Sequence, residues 1–131
     1  MAKWKYIKND TYRRGITIFI GSEENFIKFL ETSSYKNDKD LIEEVKDHQN
    51  NSNADATCYY DSTDGQCIIH LSNYPSTPTS IATLGHELLH AVFFLLKYCG
   101  IKYSDESEEA FTYLHEFFIN KALTEKGYKD V

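Results

Sequence analysis

The chain has 131 residues, a net charge of −6, 41% hydrophobic and 15% aromatic residues. That length allows one domain with a real core, and the apolar content excludes a disordered chain. An acidic balance with no basic cluster argues against nucleic acid as a partner.

In chain order, Met1 to Arg14 is polar and charged, which does not fit a signal peptide. Ile16 to Ile20 is a β-branched and aromatic run closed by Gly21, as expected of a strand. Ser22 caps a helix running to about Glu31, with Glu23 and Glu24 at its positive end. Lys39 to His48 places Leu41, Ile42 and Val45 on one side, a second amphipathic helix, and Gln49 to Asn53 is a polar loop. Ala54 to Tyr60 and Gln66 to Ser72 are two strands joined by the turn Asp61 to Gly65. Cys58 and Cys67 fall within these strands. Three cysteines without a C-x-x-C spacing fit a reducing, cytoplasmic setting, with this pair reduced unless it meets an oxidant.

Thr77-Pro78 opens the next helix as N-cap and first-turn proline, and Gly100 closes it. Between them Ile81, Leu84, Leu88, Ala91, Leu95 and Tyr98 recur at spacings of three and four, a buried helix with no uninterrupted apolar run long enough to cross a membrane. A last helix runs from about Asp105 to Lys126, capped by Ser104, and apolar around most of its circumference, so it is expected to be buried against its predecessor. No repeat or linker divides the chain. Residues 1–131 read as one α+β domain, a small antiparallel or mixed sheet with helices packed on it.

The stretch that carries chemistry is His86-Glu87-Leu88-Leu89-His90. Residues i and i+4 of a helix stand one turn apart, so both imidazoles can bind one ion. Glu87 lies about 100° round the helix from His86, and so reaches toward a bound water rather than the ion. This H-E-x-x-H pattern is the zinc-binding and general-base core of metallopeptidases. A catalytic zinc takes a third protein ligand. Asp105, Glu106, Glu108, Glu109, His115 and Glu116 lie downstream, and Glu108 and Glu109 both qualify by position on the last helix. Glu109 shares its face with Thr112, Tyr113, Glu116 and Asn120, a polar stripe that needs partners if it is buried. Glu116 and Asn120 are candidates to orient the histidines, whereas His115 and His48 are expected to fill space or face solvent.

His86-Glu87-x-x-His90, eighteen further residues and then Glu109-Ala110 resembles the gluzincin clan of zinc peptidases. Thr83 to Leu114 is similar, more specifically, to small phage-encoded zinc metallopeptidases, whose downstream helix has the form E-A-aromatic-x-Y-L, here Glu109-Ala110-Phe111-Thr112-Tyr113-Leu114. The resemblance covers the C-terminal half well and the N-terminal half in outline. The chain lacks the additional domains with which large gluzincins build a substrate cleft.

The resemblance implies a minimal zincin-like domain: a small sheet against the H-E-x-x-H helix, and a C-terminal helix bringing the ligand Glu109. It implies a Zn2+ cofactor held by His86, His90 and Glu109, a protein or peptide substrate, and peptide-bond hydrolysis by a metal-activated water with Glu87 as general base. Tyr113, His70 and Tyr74 are candidates to stabilise the oxyanion. The strand Gln66 to Ser72 is a candidate to pair with an extended substrate. The alternative function is a metal-binding regulatory or interaction protein that keeps this fold without turnover.

Overall fold

The computed structural model describes residues 2–51 and 55–131. It is an α+β fold of ten elements: β1 (Lys3–Asn9), β2 (Arg14–Ile20), α1 (Glu23–Thr32), a 3-10 turn (Ser34–Asn37), α2 (Lys39–Asn51), β3 (Ala56–Asp61), β4 (Gln66–Leu71), α3 (Pro78–Tyr98), α4 (Glu108–Ala122) and β5 (Lys129–Asp130). The strands form one mixed sheet in the order β3-β4-β2-β1-β5. β2 and β4 run parallel, and the other neighbouring pairs are antiparallel.

Helices cover both faces of the sheet. Side chains alternate across a strand, so β2 sends Ile16, Ile18 and Ile20 to one face and Thr17 and Phe19 to the other. The first face packs on α3 and α4 through Ile69, Leu84, Leu88, Leu95, Leu114 and Phe118. The second packs on α1, the 3-10 turn and α2 through Phe26, Phe29, Leu30, Tyr35, Leu41 and Val45. Removing one such leucine or phenylalanine side chain from water contributes about 1.5–3 kcal/mol.

α3 is the best-specified helix. Thr77 Oγ1 accepts the Ser80 N–H at 3.1 Å and Ser80 Oγ accepts the Thr77 N–H at 2.9 Å, with Pro78 in the first turn. At the other end Gly100 adopts φ +83°, while the Ile101 N–H reaches back to the Leu96 carbonyl at 2.8 Å. This left-handed stop is one that glycine makes without a Cβ clash. At 21 residues, with an 18-residue stretch of mean hydropathy 1.4, α3 is in fact long and apolar enough to cross a membrane by length and composition. Here its apolar stripe is the inner wall of the core, with Leu84, Leu88, Ala91 and Val92 fully buried.

Four sequence expectations are corrected. The polar start of the chain contains β1, in which Lys3, Trp4, Lys5, Tyr6 and Ile7 alternate across the sheet; β5 is likewise a strand the sequence did not signal. The expected loop Gln49 to Asn53 is helical as far as Asn51; its remainder, and the expected strand start at Ala54, lie outside the described residues. α4 starts at Glu108 rather than near Asp105. Ser104 caps only the preceding turn, and the Ser107 hydroxyl donates back to the Lys102 carbonyl at 2.6 Å instead of capping α4. Finally, α4 buries one face only, through Phe111, Leu114, Phe118 and Ala122.

Candidate metal centre

α3 turns Leu84, Leu88, Ala91 and Leu95 inward, and 3.6-residue periodicity therefore sends His86 and His90 to the opposite, solvent-facing side. Both rings are exposed. Their Nε2 atoms stand 3.2 Å apart, with ring centroids 4.9 Å apart and planes at 77°. Two imidazole nitrogens, each about 2.0–2.1 Å from one tetrahedral zinc, stand about 3.3 Å from each other. The pair thus has the spacing and convergence of a two-point chelate. A mutual N–H···N bond alone gives little reason for that arrangement in the open, where water competes for both groups.

Glu87 points to the side of the helix next to the sheet. Its Oε2 accepts the backbone N–H of Cys58 at 3.0 Å. Among the described residues β3 pairs with β4 alone, so this N–H lies on the outer edge of the sheet. The edge strand therefore fixes the carboxylate beside the histidines. The strand expected to pair with substrate, Gln66 to Ser72, lies inside the sheet with β2 and β3 on either side, and has no free edge. β3 is the edge strand on the side of Glu87.

α4 approaches from the other side. His115 Nε2 donates to the Gly85 carbonyl at 2.8 Å, and Phe111 packs on Phe93 with ring centroids 4.9 Å apart. As α3 advances α4 recedes, so the two are antiparallel, and the first turn of α4 comes alongside the turn of α3 that follows His90. Glu108 and Glu109 occupy that first turn. His115, expected to fill space, instead ties the two helices together one residue before His86.

The polar stripe of Glu109, Thr112, Tyr113, Glu116 and Asn120 is exposed along its length. Water, rather than a buried centre, solvates it, which removes the argument that burial obliges Glu109 to find a cation. The structure brings His86, Glu87 and His90 together and does not bring the Glu109 carboxylate into their cluster. Among the described residues, the set of three ligand-type side chains with donor atoms within 4.8 Å of one another is Asp38, Asp61 and Asp64. The sequence does not signal that cluster, because its members are distant along the chain and meet where the start of α2 approaches the β3–β4 turn. Asp38 caps α2 through the Leu41 N–H at 3.1 Å, and burial, ahead of its Asp61 and Asp64 neighbours, pushes its carboxyl up to about 6.

Two of the oxyanion candidates are engaged elsewhere. His70 is buried on the α1 face of the sheet, where Nε2 donates to the Gly21 carbonyl at 2.7 Å and the ring stacks on Phe26 at 4.4 Å. Tyr74 donates its hydroxyl to the Leu123 carbonyl at 2.8 Å, at the far end of α4. Tyr113 stands on the exposed stripe. His48, expected in solvent, is half-buried with Nδ1 3.1 Å from the Tyr59 hydroxyl. Cys58 and Cys67 are both free thiols, with sulfurs 3.7 Å apart. In comparisons with known proteins, no family model, no curated protein and no solved structure matches this chain.

Proposed function

We propose that the protein is a zinc-dependent metallopeptidase of minimal zincin-like design, with His86 and His90 as metal ligands, Glu109 as the third, and Glu87 as general base. The observation that carries this reading is the Nε2 pair at 3.2 Å on the open face of α3, beside a carboxylate anchored on a sheet edge. Zinc bound there would polarise a carbonyl and lower the pKa of a bound water toward about 7.

The chain's own residues supply the rest. Glu87 uses Oε2 on the Cys58 N–H, which orients the carboxylate and leaves Oε1 to hold a proton taken from water and return it to a leaving amine. The outer edge of β3 runs past the same site and offers backbone groups to an extended peptide. Glu109 is favoured by the resemblance carried by Glu109-Ala110; Glu108, on the same first turn of α4, is the alternative. A phage origin belongs to the same proposal through the resemblance alone, and cytoplasmic residence through the three cysteines without a C-x-x-C spacing.

One observation favours the second reading, a metal-binding interaction protein without turnover. The Glu87–Cys58 hydrogen bond joins α3 to β3, so Glu87 has a structural use that needs no catalysis. The deciding experiment is zinc per chain, measured by elemental analysis after zinc loading and desalting, for wild type and for His86→Ala, Glu108→Ala and Glu109→Ala. About one zinc in wild type, lost in His86→Ala and weakened in one of the two glutamate variants, supports the centre and identifies its third ligand. No zinc in wild type overturns it.

A further inference from the structure

β3 and β4 carry a thiol pair on the sheet face that packs against α3. Cys67 is buried there, and Cys58 is half-buried beside it on the edge strand, their sulfurs 3.7 Å apart. A disulfide bond is about 2.05 Å long, so the two sulfurs touch and lie within reach of bonding. Cys99, the third cysteine, is exposed at the end of α3.

The ladder sets what a bond between the pair would do. Cys58 faces Ile69 and Cys67 faces Tyr60, so the two cysteines are diagonal neighbours rather than opposite ones. Diagonal Cα atoms stand about 7–8 Å apart across an antiparallel pair, whereas a disulfide holds its own Cα atoms about 4.4–6.8 Å apart. Bonding therefore shifts one strand against the other. β4 is held by β2 on one side and β3 on the other; among the described residues β3 is held by β4 alone, so β3 is the strand that gives. The backbone N–H of Cys58 is also the group that holds Glu87 Oε2, at 3.0 Å. The residue that must move is the one that orients the carboxylate.

We infer that Cys58 and Cys67 form a reversible redox site for hydrogen peroxide, and that their disulfide releases Glu87 from β3. The Cys58 sulfur attacks one peroxide oxygen and the O–O bond breaks, giving a sulfenic acid and one water. The Cys67 sulfur then displaces that hydroxyl, which leaves with the Cys67 proton as a second water. Each sulfur gives up one electron, and the peroxide takes both. Cys67 is not the starting thiol: its hydrogen bond with Cys58, ahead of burial, pushes its pKa well up and keeps it protonated. In a reducing setting a bridge of this kind is transient and serves sensing rather than stability. The loss of catalytic orientation that follows rests on the reading of Glu87 as general base; the bond and the strand shift do not.

The test uses the full chain carrying Cys99→Ser, which removes bonding between chains through the exposed thiol. After exposure to peroxide the remaining thiols are alkylated, and the digest is read by mass spectrometry. A linked Cys58–Cys67 peptide, lost again with dithiothreitol, is expected. Cys58 halted at sulfenic or sulfinic acid with Cys67 still alkylated overturns the site, as do two unreacted thiols at a dose that oxidises Cys99 in the wild type. Amide hydrogen exchange at Cys58, followed by NMR, should be at least about tenfold faster in the bridged form than in the reduced one. Unchanged exchange there overturns the release of Glu87. Neither readout needs zinc or turnover. A chain that bridges but binds no zinc overturns the metallopeptidase reading and leaves the redox site standing. One that hydrolyses peptides equally well reduced and bridged overturns the catalytic consequence.

Discussion

The two faces of the sheet use histidine in opposite ways. On the α1 face, His70 is 6% exposed, stacked on Phe26 and bonded to the Gly21 carbonyl, so its donor capacity is used inside the fold. On the far side of the α3 layer, His86 and His90 have no hydrogen-bond partner among the described residues but each other, and converge in the open. Residue type alone does not separate these roles; the direction in which the backbone aims the ring does. A buried imidazole with a satisfied nitrogen belongs to the architecture. A convergent exposed pair is available to a ligand.

The largest expected effect probes the open side. Glu87→Gln keeps a carbonyl oxygen that can accept the Cys58 N–H, so the tie between α3 and β3 survives, while the proton acceptor is lost. Zinc content and melting temperature should stay at the wild-type level. Peptide hydrolysis should fall by about 10²–10⁴-fold, measured as initial rates on an unbiased peptide mixture. If the wild type is active and this variant equally so, Glu87 is only the helix-to-sheet tie, and the contrast between the two faces loses its chemical half.

Next comes the closed side. Phe26 is fully buried and packs against Phe19, Tyr59 and His70. Phe26→Ala should cost about 3–5 kcal/mol of unfolding free energy in urea titration. Zinc uptake below the denaturation range should be unchanged, because the sheet stands between this cluster and α3. A parallel loss of zinc binding would show that the two faces are not independent.

Much of this architecture was legible, for identifiable reasons. α3 has a cap, a first-turn proline, a strict three-and-four apolar rhythm and a glycine stop, and these signals agree with one another. β1 does carry a period of two, Lys3 and Lys5 alternating with Trp4 and Tyr6, and its high charge in a polar start masked it. The physical role of Lys5 appears only in three dimensions, where Nζ donates to the Lys121 and Thr124 carbonyls at the end of α4. The convergent histidine pair was legible because its geometry is local, two residues one helical turn apart. Contributions to the site from elsewhere were not: the Cys58 N–H that holds Glu87 is 29 residues away and belongs to the backbone, which carries no sequence signal. The stripe on α4 misled for a related reason. Phe117 and Ile119 widen the apolar arc of that helix, yet they are only partly buried, and the polar residues beyond them face water.

A smaller effect separates the histidines by pH. Burial holds the His70 pKa below its ordinary 6.5, against the opposing pull of the Gly21 carbonyl and Glu23. The unfolded chain therefore takes up this proton first as pH falls. His70 adds no penalty above about pH 6.5 and destabilises the fold progressively below it, until the folded-state pKa is passed. His70→Gln removes that component, so the difference in unfolding free energy between wild type and variant should shrink on acidification from pH 7 to 5. A difference that is flat with pH would mean that His70 is not held neutral inside the sheet.

The smallest effect lies on the contact that joins α4 to the site. His115 Nε2 donates to the Gly85 carbonyl from a half-buried position, and a neutral hydrogen bond of this kind contributes about 0.5–1.5 kcal/mol. His115→Leu keeps apolar contact along α4 and deletes the donor, so urea unfolding should show a loss of about 1 kcal/mol. The bond also helps to set how α4 lies along α3. If Glu108 or Glu109 completes a metal centre, His115→Leu should weaken zinc retention against a competing chelator more than its stability loss alone accounts for. A stability loss with unchanged zinc affinity would place the third ligand off α4, and would leave the exposed histidine pair as a two-point site open to a ligand from a partner molecule.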